Sequence, residues 1–299
     1  MDFSAILSQF PDLYTLAGQF FVGMSRAMIL FVVAAGLTVV MGVLRIVNFT
    51  HGTFYMLGAF IAFSVAQWLG GSSGFWLALL IAPLIVAALS FVVESTLMRR
   101  IYDQPRLMQL LLTYALVLAF NDLIKIVWGV HYKSMANPIP GSISLGGATL
   151  PSYNLILLAA GPLVALGLWF FMSRTMMGKL CRATATDREM VDALGINSKQ
   201  VFASVFVLGC YLAGLGGTLI APTTNIVIGM GMGIIINAIL VVVVGGLGNV
   251  WGALVVSFIF GIGESFGVLF APRFALVFPF LIAATLLMIR PSGLMKSVW

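Results

Sequence analysis

Glu264 stands inside an apolar run covering residues 252 to 270, and an ionised carboxylate in such surroundings needs a donor close by. Two roles are open to it: lining a solute path, or bonding to the backbone or to hydroxyls such as Ser257 or Ser265. Asn121 and Asp122 fall late in another apolar run, and Lys125 follows at a spacing that suits an interfacial ion pair. Glu94, beside Arg99 and Arg100, reads as boundary electrostatics. An enzyme would need a grouped nucleophile or metal constellation, for which the histidines His51 and His131, expected at opposite faces, are poor material. Cys181 lies in a polar stretch and Cys210 in an apolar run, so neither a disulfide nor a metal site is expected. Gly178-Lys179 resembles the end of a phosphate-binding loop, but Ser173 replaces the upstream glycine and Leu180 the hydroxyl. The chain is therefore expected to catalyse no reaction and to hold no cofactor.

Two polar interruptions matter for a different reason. Asn48, Phe49, Thr50, His51 and Gly52 break what would otherwise be one apolar stretch, and Asn249 with Gly252-Ala253 makes a similar break later. A broken helix exposes unpaired N–H and C=O groups that must face protein or water, and such breaks often line solute paths. The alternative is a tight turn at each place, with His51 capping a helix end. Under the path reading, Asn48 and His51 border an inner gate.

The most polar stretch is residues 173 to 200. Within it, Thr186-Asp187-Arg188-Glu189 has the capping-box form, Thr hydroxyl and Glu carboxylate each satisfying an N–H at a helix start. The helix it opens runs through Met190, Val191, Asp192, Ala193 and Leu194 and stops at Gly195, which suits the left-handed end. Asn197 with Gln200 forms a weaker box opening the next apolar run. A helix of two turns needs packing to persist. Its apolar stripe of Met190, Val191 and Leu194 packs either on its own bundle or in a groove of a separate soluble subunit.

The elements that position these residues follow from composition. The 299 residues are 61% hydrophobic and only 8% charged, with a mean hydropathy of +1.12, too little polar surface to clothe a water-soluble globule. A bilayer crossing takes about 20 apolar residues. Nine candidate runs fall near residues 19–43, 54–69, 75–93, 107–128, 153–172, 201–220, 233–247, 252–270 and 274–289. The expected fold is all-α, a polytopic membrane bundle of about eight or nine helices in one domain over residues 1–299, with a short coupling helix in the 173–200 connection. Glycines such as Gly209, Gly214, Gly216 and Gly217 serve close helix approach first.

Basic residues are unevenly shared between alternate connections. Arg45, Arg99, Arg100, Arg106, Arg174, Lys179, Arg182, Arg188, Lys199, Arg290 and Lys296 fall on one side, against Arg26, Lys125, Lys133 and Arg273 on the other. This asymmetry places the first set in the cytoplasm, with the C-terminus inside and, for nine spans, the N-terminus outside. It also accounts for the net charge of +6 as membrane topology, so no nucleic-acid partner is expected. Met1 to Asp12 carry two acids and no base, unlike a cleaved signal, so the mature chain is expected to begin near Met1. The connection 129–151, with Asn137, Pro138, Pro140 and several glycines, reads as an ordered loop or short re-entrant element outside.

Several of these segments together resemble the permease subunits of branched-chain amino-acid ABC importers. The first is Gly36-Leu37-Thr38 followed by Met41 to Gly52 and Gly58-Ala59. Gly178-Lys179, Arg182-Ala183, Asp187 and Leu194-Gly195-Ile196-Asn197 are similar to that family's ATPase-coupling segment. Gly245-Gly246-Leu247-Gly248-Asn249, Gly252-Ala253, Glu264 and Arg290-Pro291-Ser292-Gly293-Leu294 complete the pattern, in order over nearly the whole chain.

The resemblance implies an inner-membrane permease of a bacterium or archaeon that carries branched-chain or other small amino acids. It further implies two ATP-binding cassette subunits, a second homologous permease or a second copy of this chain, and an external solute-binding protein. Thr186, Asp187, Glu189, Met190, Val191, Leu194 and Gly195 are then the expected coupling residues, and Asn48, His51, Asn121, Asn249 and Glu264 the expected path residues. Urea or short amides are an alternative cargo. A different class, an ion-coupled secondary transporter or channel, would use Glu264 and Asp122 as proton or cation sites.

Overall fold

The computed structural model describes residues 12–145, 148–275, 277–291 and 293–295. The expected start near Met1 and the motif residue Ser292, together with Lys296, lie outside them. Each of the nine apolar runs is a helix: α1 (Leu13–Leu44), α2 (Thr50–Leu69), α3 (Gly71–Val93), α4 (Arg106–Trp128), α5 (Asn154–Arg174), α8 (Ser198–Ile220), α9 (Met230–Gly245), α10 (Val250–Phe270) and α11 (Phe278–Ile289). Two further helices, α6 (Met176–Thr186) and α7 (Arg188–Ala193), lie between α5 and α8. Seven of the described helices are long and apolar enough to cross a membrane, while α9 and α11 are shorter. The chain is an all-α, multi-pass membrane bundle.

α1 is the axis of the bundle. Its 32 residues amount to about 48 Å of helix, more than a hydrocarbon layer needs. Almost every residue from Ala27 to Leu44 is buried, chiefly against α5, α8, α9 and α10. Lipid offers no hydrophobic drive for helix association, so close contact is achieved with small residues. Gly209 of α8 lies on Gly36 and Val40 of α1, Gly217 lies on Tyr55 of α2, and Gly261 of α10 lies on Ala27.

One expectation about connections is corrected. The stretch after α5 is not a loop carrying one short helix. Thr175 caps α6 through its side chain, which accepts from the Gly178 N–H at 3.0 Å, and an 11-residue helix precedes α7. Beyond α4, the 129–151 connection, expected as an ordered loop or short re-entrant element, contains an antiparallel hairpin, β1 (Ser142–Leu145) paired with β2 (Ala148–Pro151) in the register Ser142 to Pro151.

The break after α1 turns inward rather than around. Arg45 ends α1 in the left-handed region, at φ 56°, and its guanidinium donates to the Ala185 carbonyl of α6 at 2.9 Å. The chain then runs back along α1, so that His51 Nε2 lies 3.0 Å from the Val33 carbonyl oxygen. Val33 is about 16 Å up the helix from Leu44 at 1.5 Å per residue. α2 thus begins deep in the bundle, where the Thr50 hydroxyl donates to the Thr113 carbonyl of α4. α9 begins there too: Gly52 and Gly231 pack so closely that neither has room for a Cβ, and the Gly229 N–H lies 3.2 Å from the Met56 sulfur.

The second break is a tight turn. Gly245 lies directly against Gly252, the Asn249 N–H donates to the Gly246 carbonyl at 3.0 Å, and the Asn249 side chain accepts from the Gly252 N–H at 2.9 Å, starting α10. The chain end closes over it, with the Leu294 N–H donating to the Val244 carbonyl at 2.8 Å.

Candidate functional site

At the basic end of the bundle, α7 is held by a compact polar network. The Arg188 guanidinium donates to Asp103 at 2.9 Å and to the Ser198 hydroxyl at 3.1 Å, and lies 5.2 Å over the Phe202 ring. Asp103 belongs to the connection between α3 and α4, so one arginine joins that connection to α7 and to the start of α8. Asp192 accepts from the Ser198 N–H and hydroxyl, each at 3.0 Å, and these bonds hold its carboxyl below the usual aspartate range.

The capping differs by one residue from the predicted box. Thr186 ends α6 and its hydroxyl donates back to the Arg182 carbonyl, so it is not free to start a helix. Asp187 starts α7 instead, accepting from the Met190 N–H at 3.0 Å. Glu189 is exposed in the first turn. The predicted stop at Gly195 is present: with φ 81°, it closes a Schellman turn in which Gly195 N–H reaches Asp192 O and Ile196 N–H reaches Val191 O. Asn197 caps α8 by accepting from the Lys199 N–H at 3.1 Å.

The apolar stripe of α7 is divided. Val191 is only 4% exposed, whereas Met190 is 58% and Leu194 70% exposed. The helix is anchored by one apolar residue and presents two, with Asp187 and Glu189 beside them on the surface.

The five predicted path residues do not form one cluster. Asn48 and His51 lie together, fully buried, at the start of α2; Asn48 Oδ1 accepts from the Thr50 N–H, while Asn48 Nδ2 and His51 Nδ1 are buried without hydrogen-bond partners. Asn121 is half-buried on α4, its Oδ1 likewise unpartnered. Asn249 is at the tight turn. Glu264 pairs with Arg26 of α1 at 3.5 Å, which corrects both the expected hydroxyl partners and the placing of Arg26 in a connection. Asp122 forms the expected pair with Lys125, exposed, at 2.8 Å. Glu94 is buried and bonded to Arg99 and Tyr102. A cavity of 760 Å³ opens elsewhere, between α3, α5, α6 and α8, lined by residues that include Arg99, Gln200 and Tyr211.

The family model for the permease component of branched-chain amino acid transport systems matches residues 19–289. The chain belongs to that family. Among curated relatives of this permease family, the high-affinity branched-chain amino acid transport system permease protein BraD of Pseudomonas aeruginosa is 29% identical over 237 residues, covering 75% of this chain and 76% of BraD. The corresponding LivH permease protein of Salmonella typhimurium is 27% identical over 224 residues, covering 70% of this chain and 71% of its own length. LivH of Escherichia coli is 26% identical over the same shares. A chain of PsaBC from Streptococcus pneumoniae, solved in complex with Fab, overlays at 15% identity with a TM-score of 0.45, covering 96% of this chain and 94% of that one, a likeness too loose to assign a fold. The match to the permease family spans both breaks, α7 and the Arg26–Glu264 pair.

Proposed function

We propose that the chain is the membrane-embedded subunit of an ATP-driven importer for branched-chain amino acids or similar small zwitterions. In this reading it forms half of a conduit completed by a second homologous permease or a second copy of itself. It lies in the inner membrane of a bacterium or archaeon, with its basic end and C-terminus in the cytoplasm. A solute-binding protein delivers cargo at the opposite end, and hydrolysis of ATP belongs to two separate cassette subunits.

The divided face of α7 carries the proposal. A groove on a cassette subunit receives Met190 and Leu194, flanked by Thr186, Asp187, Glu189 and Gly195, while Val191 keeps the helix seated on its own bundle. Movement of the cassette then reaches the spans through stiff links. Arg188 transmits it to Asp103 and the start of α8, and the bond from Arg45 to Ala185 ties α6 to α1. The meeting point of α2 and α9 is the gate in this scheme: parting Gly52 from Gly231 brings Asn48 Nδ2 and His51 Nδ1 to water. Asn121 lies on α4, farther toward the outer end.

The test replaces the two exposed residues together. The M190D/L194D variant places charge where the groove expects apolar surface, and it should reach the membrane and melt like the parent while losing copurification with the cassette subunit. Undiminished copurification would remove α7 from the coupling route.

A further inference from the structure

Arg26 and Glu264 sit where ions are expensive, and neither is hidden. Arg26 is about 20 Å from the Leu13 end of α1 and about 27 Å from the Leu44 end, at 1.5 Å per residue. Any hydrocarbon layer of about 30 Å that α1 spans therefore contains it. Glu264 is about 9 Å short of the Phe270 end of α10. Their side chains are nevertheless 47% and 34% exposed on this chain. Charged side chains at such depth face the bundle interior or water, not acyl tails.

The seam beside them leaves no room for them within it. Gly23 lies against Ile262 and Ser265, and Gly261 against Ala27, so the α1–α10 contact itself is closed by small residues. The Ser265 hydroxyl donates to the Gln19 carbonyl and Gln19 Nε2 to the Ser265 carbonyl, each at 2.8 Å, which spends both polar side chains on backbone. The two charges are left on the outer rim of that seam. Their separation of 3.5 Å is longer than the roughly 2.8 Å of a tight charge-assisted bond, so both retain bonding capacity.

We propose that Arg26 and Glu264 form a transit site for zwitterionic α-amino acids, on a face turned to a water-filled passage. The guanidinium takes the solute carboxylate and the Glu264 carboxylate takes its ammonium group. Each protein charge exchanges its neighbour for a group of the same sign, so the net gain is small and the solute leaves readily. A neutral amide offers neither charge and gains nothing from this exchange. The proposal rests on the importer reading given above.

The test uses the complete complex with its cassette subunits and solute-binding protein, reconstituted in proteoliposomes. Leucine uptake by the parent complex comes first; its absence would sink the importer reading itself. Given uptake, E264Q and R26Q should each lower it about tenfold, the scale of one lost charge-assisted contact, with assembly and basal ATP hydrolysis unchanged. R26Q/E264Q leaves no unpaired charge in the membrane and should show the same loss if either single variant fails to assemble. E264C should be labelled by a membrane-impermeant methanethiosulfonate reagent, against a low background because Cys181 and Cys210 are both buried. Labelling should slow when leucine-loaded binding protein and ATP are present. An E264C thiol that resists the reagent in the assembled complex, or neutral variants that import leucine at the parent rate, would overturn the site while leaving the importer reading intact.

Discussion

The Asp187 carboxylate satisfies the N–H of Met190 at the first turn of α7, and Thr186 spends its hydroxyl on the helix before. D187A should therefore destabilise α7 by about 1 kcal/mol, the usual value of a lost N-cap, whereas T186A should change it by less than about 0.5 kcal/mol. Hydrogen exchange at the α7 amides reads both; equal effects would contradict the assignment of the cap. Asp192 behaves with a definite sign. Its carboxyl is held below the ordinary range by Ser198, so the anchoring is fully present above the unfolded pKa of about 3.9 and is lost only as pH falls further. The box at Thr186 was readable as a cap but not to the residue, because Thr186 and Asp187 are both competent and only the end of α6 decides between them. Arg26 was harder to place: its partner Glu264 lies on α10, near the other end of the chain, and no local spacing links them.

At the scale of elements, all nine apolar helices fall at the runs visible in the sequence, since burial in lipid or protein demands internally bonded backbone. α6 was missed because its polar residues mark a connection, while its helical face becomes evident only when Cys181, Thr184 and Ala185 pack against the bundle. The breaks at Asn48 and Asn249 look alike in sequence and differ in space, one re-entering beside Val33, the other closing as a turn on Gly245. What separates them is long-range contact. The junction of α2 and α9 gives a paired prediction. G52A forces a Cβ into the Gly231 backbone and should cost about 1–3 kcal/mol, read as a lower melting temperature in detergent. G233A, on the same α9 but facing open space, should be neutral or stabilise by up to about 1 kcal/mol. If both variants melt alike, the two helix starts do not bear on each other.

For the whole molecule, the sequence has no Gly-x-x-x-x-Gly-Lys-Ser/Thr run, and the bundle carries at its basic end a short helix, α7, joined to α8 and the α3–α4 connection by Arg188, beside α6, which Arg45 ties to α1. Membership of the permease family and the division of α7 into one seated and two presented apolar residues lead to the same scheme, in which force enters through α7 and the conduit responds. The most direct measurement is site-specific photocrosslinking in the assembled complex, with a photoreactive residue at Leu194 or, as the control, at Val191. The scheme predicts an adduct between position 194 and the cassette subunit, and adducts from position 191 confined to this chain. Position 194 crosslinking only to lipid or to its own helices would contradict it.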